Sequence, residues 1–201
     1  YTTSGVLNIK SLDVQVTERC SLKCVNCSNL MQYYERPVNA EFDLLFLSLD
    51  RFVAAVDKID EFRVIGGDPF MNKDLHKYIN HLVKYNQVNK VVIYTNARII
   101  PKGENLDCLK NKKVMLDISD YGLLDSKKKK VDEISKILDE NKIIYSRDTI
   151  TVWQDCGKIL PFQKRTEEER IGVFNNCCTS DLLSLLHGKL YRCPFLQMEL
   201  T

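Results

Sequence analysis

No stretch of these 201 residues approaches the roughly 18 consecutive apolar positions that a membrane-spanning helix requires. The opening segment YTTSGVLNIK has no apolar core, so it does not read as a secretory signal. An excess of one charge is also missing. Lysine and arginine total 29 against 27 acids, a net +2 that makes no case for a polyanionic partner. Apolar content of 44% with 28% charged residues excludes collagen-like, disordered and low-complexity chains. No internal repeat is visible. Cysteine alone is in surplus. Eight cysteines in a chain this rich in aliphatic residues do not suit a small secreted disulfide scaffold. They point to metal or redox chemistry in a reducing compartment, hence to the cytoplasm. The length fits one domain plus a short appendage. The chain opens on Tyr1 and stops soon after a cysteine motif, so it is expected to be a piece of a longer protein.

Apolar periodicity alternates between strand and helix. Residues 12–17 (LDVQVT) alternate as a strand. Residues 41–57 then set Phe42, Leu45, Phe46, Leu49, Phe52, Val53 and Val56 on one helical face, with Asn39 as the expected cap. FRVI at 62–65 reads as a short buried strand that ends in Gly66-Gly67, and a helix follows through Leu75, Tyr78, Ile79, Leu82 and Val83. VVIYT at 91–95 and VMLDI at 114–118 are strands, separated by a short helical stretch around Leu106 and Leu109. A helix with Val131, Ile134, Ile137 and Leu138 leads to a fifth strand at 143–145. Five strands separated by helices form the βαβ pattern of a parallel sheet, closed or partly closed as a barrel. Ligands of such sheets sit at the C-terminal ends of the strands. The unusual residues fall there: Cys20, Gly66-Gly67, Asn96 and Ser119. The pattern changes near residue 150, which divides a core at 10–150 from an extension at 151–201.

Cys20, Cys24 and Cys27 follow the first strand directly, as C-x₃-C-x₂-C. Thiolates at this spacing on a tight loop can converge on one iron–sulfur cluster, and three ligands leave one metal position open for a reactive ligand. A structural zinc site wants four closed ligands.

The segment LDVQVTERCSLKCVNCS resembles the opening of radical S-adenosylmethionine (radical SAM) enzymes. The resemblance implies a partial (β/α)6 TIM-like barrel and a [4Fe-4S] cluster on Cys20, Cys24 and Cys27. It also implies SAM chelating the open iron, and reductive cleavage to a 5′-deoxyadenosyl radical that abstracts hydrogen from substrate. An electron donor such as flavodoxin or ferredoxin is implied with it. The position before the last cysteine, often aromatic in the family and near the adenine, is Asn26 here. Gly66-Gly67-Asp68-Pro69 resembles the GGEP motif that holds the SAM amino group, with Asp68 in place of the usual glutamate. Two glycines allow backbone to approach a ligand closely. Thr95 and Asn96, in YTNA, resemble the TNG segment, and Ser119 stands where the family places a group against the SAM ribose or carboxylate. Arg147 is expected to be a surface arginine, with pairing to a carboxylate of SAM or substrate as the alternative.

The tail runs C-x₉-G-x₄-C from Cys178 through Gly188 to Cys193, which resembles the entry motif of SPASM and twitch extensions. A hairpin turning at Gly188 would bring the two thiolates together. The resemblance implies an auxiliary Fe–S cluster, with Cys177 and Cys156 as further candidate ligands. Cys108 reads as a buried thiol, and His76, His81 and His187 as surface or structural residues. Lysines 127–130 open a helix without aromatic neighbours, which leaves no nucleic-acid reading.

The expected function is that of a radical SAM enzyme acting on a sugar or polysaccharide precursor. A peptide-modifying maturase is the rival within that class. A non-catalytic zinc or Fe–S scaffold is the rival outside it, and the Asp68 and Ala97 departures favour it.

Overall fold

A computed structural model describes residues 5–25, 27–122, 125–151, 165–177, 179 and 182–193. The elements run β1 (Asn8–Thr17), α1 (Phe42–Ala54), β2 (Lys58–Gly66), α2 (Leu75–Leu82), β3 (Val88–Thr95) and α3 (Glu104–Asp107). They continue as β4 (Val114–Asp120), α4 (Asp125–Glu140), β5 (Tyr145–Thr149), α5 (Glu167–Asn175), β6 (Leu182–Leu186) and β7 (Lys189–Tyr191). The seven strands of the described residues join one sheet in the order β5-β4-β3-β2-β1-β6-β7. The expected parallel βαβ sheet is present: β1 to β5 pair in parallel succession. Among the described residues, no further strand pairs with the outer edge of β5. β6 instead pairs with the other edge of β1, and β7 returns antiparallel to it. Part of the 151–201 segment thus lies in the same sheet as the core.

Side-chain alternation divides the sheet into two unlike faces. Leu12, Phe62, Val91 and Val114 align across four strands, and Val14, Val64, Ile93 and Leu116 form the next row. Both rows are buried with Leu45, Leu49 and Val53 of α1, Leu75, Ile79 and Leu82 of α2, and Ile134 and Leu138 of α4. Full burial of each such side chain contributes about 1.5–3 kcal/mol. This face therefore carries the stability. The opposite face presents Ser11, Asp13, Gln15 and Thr17 from β1, all buried yet polar.

Local differences from the sequence reading have local causes. Helix α1 starts at Phe42 with Glu41 as a cap that makes no side-chain bond. Asn39, the expected cap, bonds elsewhere: its Oδ1 accepts from Thr17 Oγ1 at 2.8 Å and its Nδ2 donates to Asn72 Oδ1 at 3.3 Å. The fifth strand begins at Tyr145 because Ile143 belongs to the end of α4. Lys142 is left-handed at φ 56°, and Ile143 N–H and Lys142 N–H return to the carbonyls of Leu138 and Asp139. That is a Schellman cap with Ile143 as its apolar contact. Beyond residue 150, α5 opens with a reciprocal capping box between Thr166 and Glu169. Among the described residues no helix is long and apolar enough to cross a membrane.

Candidate active site

The cysteine loop leaves β1 at its C-terminal end. Cys20, Cys24 and Cys27 are each half-buried and none is in a disulfide. Backbone bonds from Cys27 N–H to Cys24 O (3.3 Å) and from Leu30 N–H to Cys27 O (3.1 Å) wind the loop tightly. Cys20 Sγ accepts from Leu22 N–H at 3.4 Å and from Asn96 Nδ2 at 3.8 Å. Burial pushes the Cys20 thiol up to about 11, opposed by the Leu22 bond and reinforced by Asp68, Cys27 and Cys24. Metal binding here must therefore release protons. Tyr121, past the end of β4, feels the same three thiols; burial first, then Cys24, raises its hydroxyl to about 12.

The glycine turn after β2 is shaped by this loop. A β-carbon on Gly66 would stand 2.4 Å from Thr17 O, and one on Gly67 would stand 2.2 Å from Arg19 O and 2.5 Å from Cys20 Cβ. Contacts below 3.0 Å with backbone cannot be relieved by a side-chain rotation. Gly67 N–H and Asp68 N–H then stitch the turn to Thr17 O (3.1 Å) and Arg19 O (2.8 Å). The glycines let the cysteine loop itself pack against the turn.

Asp68 is fully buried, and the structure directs its carboxylate inward. Oδ1 accepts from Phe70 N–H (3.0 Å), while Oδ2 accepts from Thr95 Oγ1 (2.9 Å) and Asn96 N–H (3.1 Å). Burial raises its pKa, and the bonds from Thr95, Asn96 and Phe70 oppose the rise. The shorter aspartate arm thus bridges two strand ends, β2 and β3. Pro69 and Thr95 are buried with it. Asn96 reaches the cysteine loop, touching Cys20 and Ser21. Ser119 lies near the end of β4, half-buried. Asn26 lies outside the described residues. A shallow cleft, open to solvent, runs past Leu22, Asn96, Arg98, Asp120, Tyr121 and Lys130. Arg147 is engaged by the protein's own carboxylates: its Nε and Nη2 hold Asp120 Oδ2 at 2.9 and 2.7 Å, and its Nη1 holds Asp132 Oδ1 at 2.8 Å.

Sequence reasoning missed several neighbours of the loop. Asn29 Nδ2 donates to Gly66 O at 3.2 Å, tying the third cysteine's turn to the glycine turn. His187 Nε2 lies 2.9 Å from Glu18 Oε1, so the C-terminal turn is anchored beside the cysteine loop. Glu18 Oε2 also accepts from Val38 N–H at 2.9 Å. Neither Asn29 nor Glu18 belongs to a periodic pattern; only proximity to the cysteines in sequence could have flagged them. His76 and His81 are structural as expected, one beside Asn105 and the other stacked on Phe46 at 3.9 Å. Cys108 is buried, its thiol pushed up to about 12 by that burial.

The expected hairpin forms, with His187 (φ 47°) and Gly188 (φ 76°) as its two turn residues. Positive φ at both positions is the geometry of a type I′ turn. Cys177 and Cys193 are half-buried, with Cys177 Sγ 3.1 Å from Thr179 Oγ1. Cys156 and Cys178 lie outside the described residues. Among the described residues, no three His, Cys, Asp or Glu side chains converge tightly enough to hold a single metal ion. Three soft sulfur donors in one neighbourhood suit a [4Fe-4S] cluster in their chemistry, and the glycine turn cradles the loop that carries them.

No family model matches the chain. It is 33% identical over 95 residues to a GTP 3′,8-cyclase of Clostridium acetobutylicum, a match covering 47% of this chain and 30% of that protein. A GTP 3′,8-cyclase of Campylobacter lari is 28% identical over 94 residues, covering 46% and 29%. The chain thus spans about 30% of the length of the curated relatives it matches. Among solved structures, BtrN in complex with AdoMet and 2-DOIA aligns at a TM-score of 0.59 and 16% identity, covering 92% of this chain and 73% of that one. SuiB of Streptococcus suis, bound to its precursor peptide SuiA, aligns at 0.57 and 17%, covering 86% and 37%. A polyhistidine-tagged anSMEcpe with bound AdoMet aligns at 0.56 and 16%, covering 74% and 45%. In sequence, over 95 residues, the chain is similar to GTP 3′,8-cyclases, which are radical SAM enzymes, and in fold it is similar to the AdoMet-bound anSMEcpe and BtrN.

Proposed function

We propose that residues 10–150 form the SAM-binding core of a radical SAM enzyme and that residues 151–201 form an extension bearing an auxiliary cluster. The observation that supports this most is the packing of the Cys20 loop into a glycine turn that admits no β-carbon. When bound, the cluster and SAM supply a one-electron cleavage of the sulfonium to methionine and a 5′-deoxyadenosyl radical that takes hydrogen from substrate. The electron comes from a flavodoxin- or ferredoxin-type donor.

The protein's part is to hold and orient. Cys20, Cys24 and Cys27 ligate the cluster, and Leu22 N–H supports the Cys20 sulfur. Gly66 and Gly67 set the distance between that loop and the strand ends. Ser119 and Tyr121 approach from β4, and Asn26 is the adenine-side contact. Cys177, Cys178, Cys193 and Cys156 are the ligands of the auxiliary cluster.

The substrate in this reading is small and polar, a sugar or polysaccharide precursor. The polar face of the sheet supports it. Asp13 pairs with Arg63 at 3.5 Å, and Arg63 lies over the Tyr94 ring at 4.5 Å. Among the described residues, Gln15 Oε1 and Nε2 are buried without a hydrogen bond, while Asp13 Oδ1 and Arg63 Nε hold only long ion-pair contacts, to Arg63 at 3.5 Å and to Glu61 at 3.8 Å. Each buried atom without a hydrogen bond costs about 1–3 kcal/mol. A polyhydroxylated ligand offers a donor and an acceptor at every carbon, which suits a mixed set of orphans. SuiB, solved with a precursor peptide, keeps a peptide substrate as the second reading.

Anaerobic reconstitution tests the proposal. A brown protein with about four irons on the triplet site, forming 5′-deoxyadenosine from SAM after dithionite reduction, supports it. A colourless zinc protein inert toward SAM sinks it. Stimulation of deoxyadenosine formation by nucleotide sugars and not by peptides supports the substrate class.

A further inference from the structure

We propose that Asn96 is a positioning residue that tunes the cysteine-held cluster through the sulfur of Cys20, and that Asp68 serves to hold Asn96 in place. The proposal rests on the cluster reading above.

The geometry fixes which end of the amide meets the sulfur. Asn96 Oδ1 accepts from Arg98 N–H at 3.1 Å, so it is the oxygen, and Nδ2 is the atom 3.8 Å from Cys20 Sγ. Ser21 Oγ lies 3.3 Å from each end of the amide, donating to Oδ1 and accepting from Nδ2. Ser21 therefore bridges the amide on the same side as the ligand cysteine. The backbone of Asn96 is equally constrained. Its N–H donates to Asp68 Oδ2, the same oxygen that accepts from Thr95 Oγ1, and Ala97 N–H returns to that threonine hydroxyl at 3.1 Å. A chain of bonds thus runs from a fully buried carboxylate, through the end of β3, to a cluster ligand.

The residue types fit this role. An N–H aimed at a thiolate withdraws electron density from sulfur and favours the more negative, reduced state of the cluster, which raises its potential. Aspartate at 96 would set a carboxylate against the thiolate. Alanine would leave, among the described residues, the Leu22 N–H as the one donor to Cys20. Asp68 has no exposed surface to offer a ligand, and all its bonds described above serve the backbone and side chains around positions 70, 95 and 96. Its place in the glycine turn makes it a brace for Asn96.

The test is a redox titration of reconstituted protein, followed by electron paramagnetic resonance. The relevant signal is the one lost in Cys24→Ala. Asn96→Asp keeps an acceptor for Arg98 N–H and removes the donor; Asn96→Gln keeps a donor on a longer arm. With iron content at the wild-type level, Asn96→Asp is expected to lower the reduced-to-oxidised ratio at fixed potential by about tenfold, equal to about 59 mV for a one-electron couple. Asn96→Gln is expected to fall between it and wild type. An unchanged ratio in Asn96→Asp at full iron overturns the proposal. So does loss of iron in both variants, which would make Asn96 merely structural. If wild-type protein itself takes up no iron, the cluster reading fails and this proposal falls with it.

Discussion

His187, in the two-residue turn between β6 and β7, holds Glu18 across 2.9 Å, two positions before the first cysteine of the loop. Glu18 is buried, so its loss of a partner is felt. Asparagine tolerates the left-handed backbone at this position but is too short to reach Glu18. His187→Asn is therefore expected to destabilise the fold by about 1 kcal/mol and to lower the iron taken up per chain. Thermal melting and iron analysis check both. An unchanged melting temperature would show that the contact does not bind the hairpin to the loop.

Gly67→Ala is a harsher change. Its new methyl would overlap Arg19 O and Cys20 Cβ, a clash that costs about 1–3 kcal/mol or more where backbone must move. Loss of iron binding with a lowered melting temperature is expected. Gly172→Ala is the control, since nothing lies within 4 Å of that position. Equal behaviour of the two variants would contradict the cradle.

Asp13 makes stability depend on pH. Burial raises its carboxyl to about 6 from an ordinary 3.8, with Arg63 and Ser184 opposing and Glu61 reinforcing the rise. The folded state thus prefers the protonated form. The stabilisation from this site is complete below pH 3.8 and drains away as pH rises through about 6. Asp13→Asn cannot titrate, so its stability relative to wild type should improve between about pH 4 and pH 7. Urea unfolding across that range measures it, and parallel pH profiles would refute it.

Cys193→Ala probes the tail. Partial loss of iron with SAM cleavage partly retained is the outcome expected of an auxiliary ligand. Full iron content would leave Cys193 without a metal role.

Much of the architecture was legible because burial writes it into the sequence at fixed periods. The alternation of Leu12, Val14 and Val16, and the spacing of Leu75, Ile79 and Leu82, are consequences of a buried face. The cysteine loop was legible because its three residues are rare and closely spaced. What escaped was set by long-range pairing. Nothing local in LLSLL says that it joins the free edge of β1, and nothing in Asn39 says that Thr17 competes for it. The direction of the Asp68 carboxylate escaped for a related reason. A motif names the residue at a position, but carboxylate direction depends on which donors the neighbouring strands bring, and Thr95 and Asn96 bring two.

The pairing of β6 with β1 joins parts of the chain as far apart as Asp13 and Ser184, 171 positions away. During synthesis, the first strand emerges with one margin bare and keeps it so until nearly all of the described chain has left the ribosome. Closure over such a span is slow. The His187 contact on Glu18 therefore arrives late, long after the cysteine loop beside it has been made.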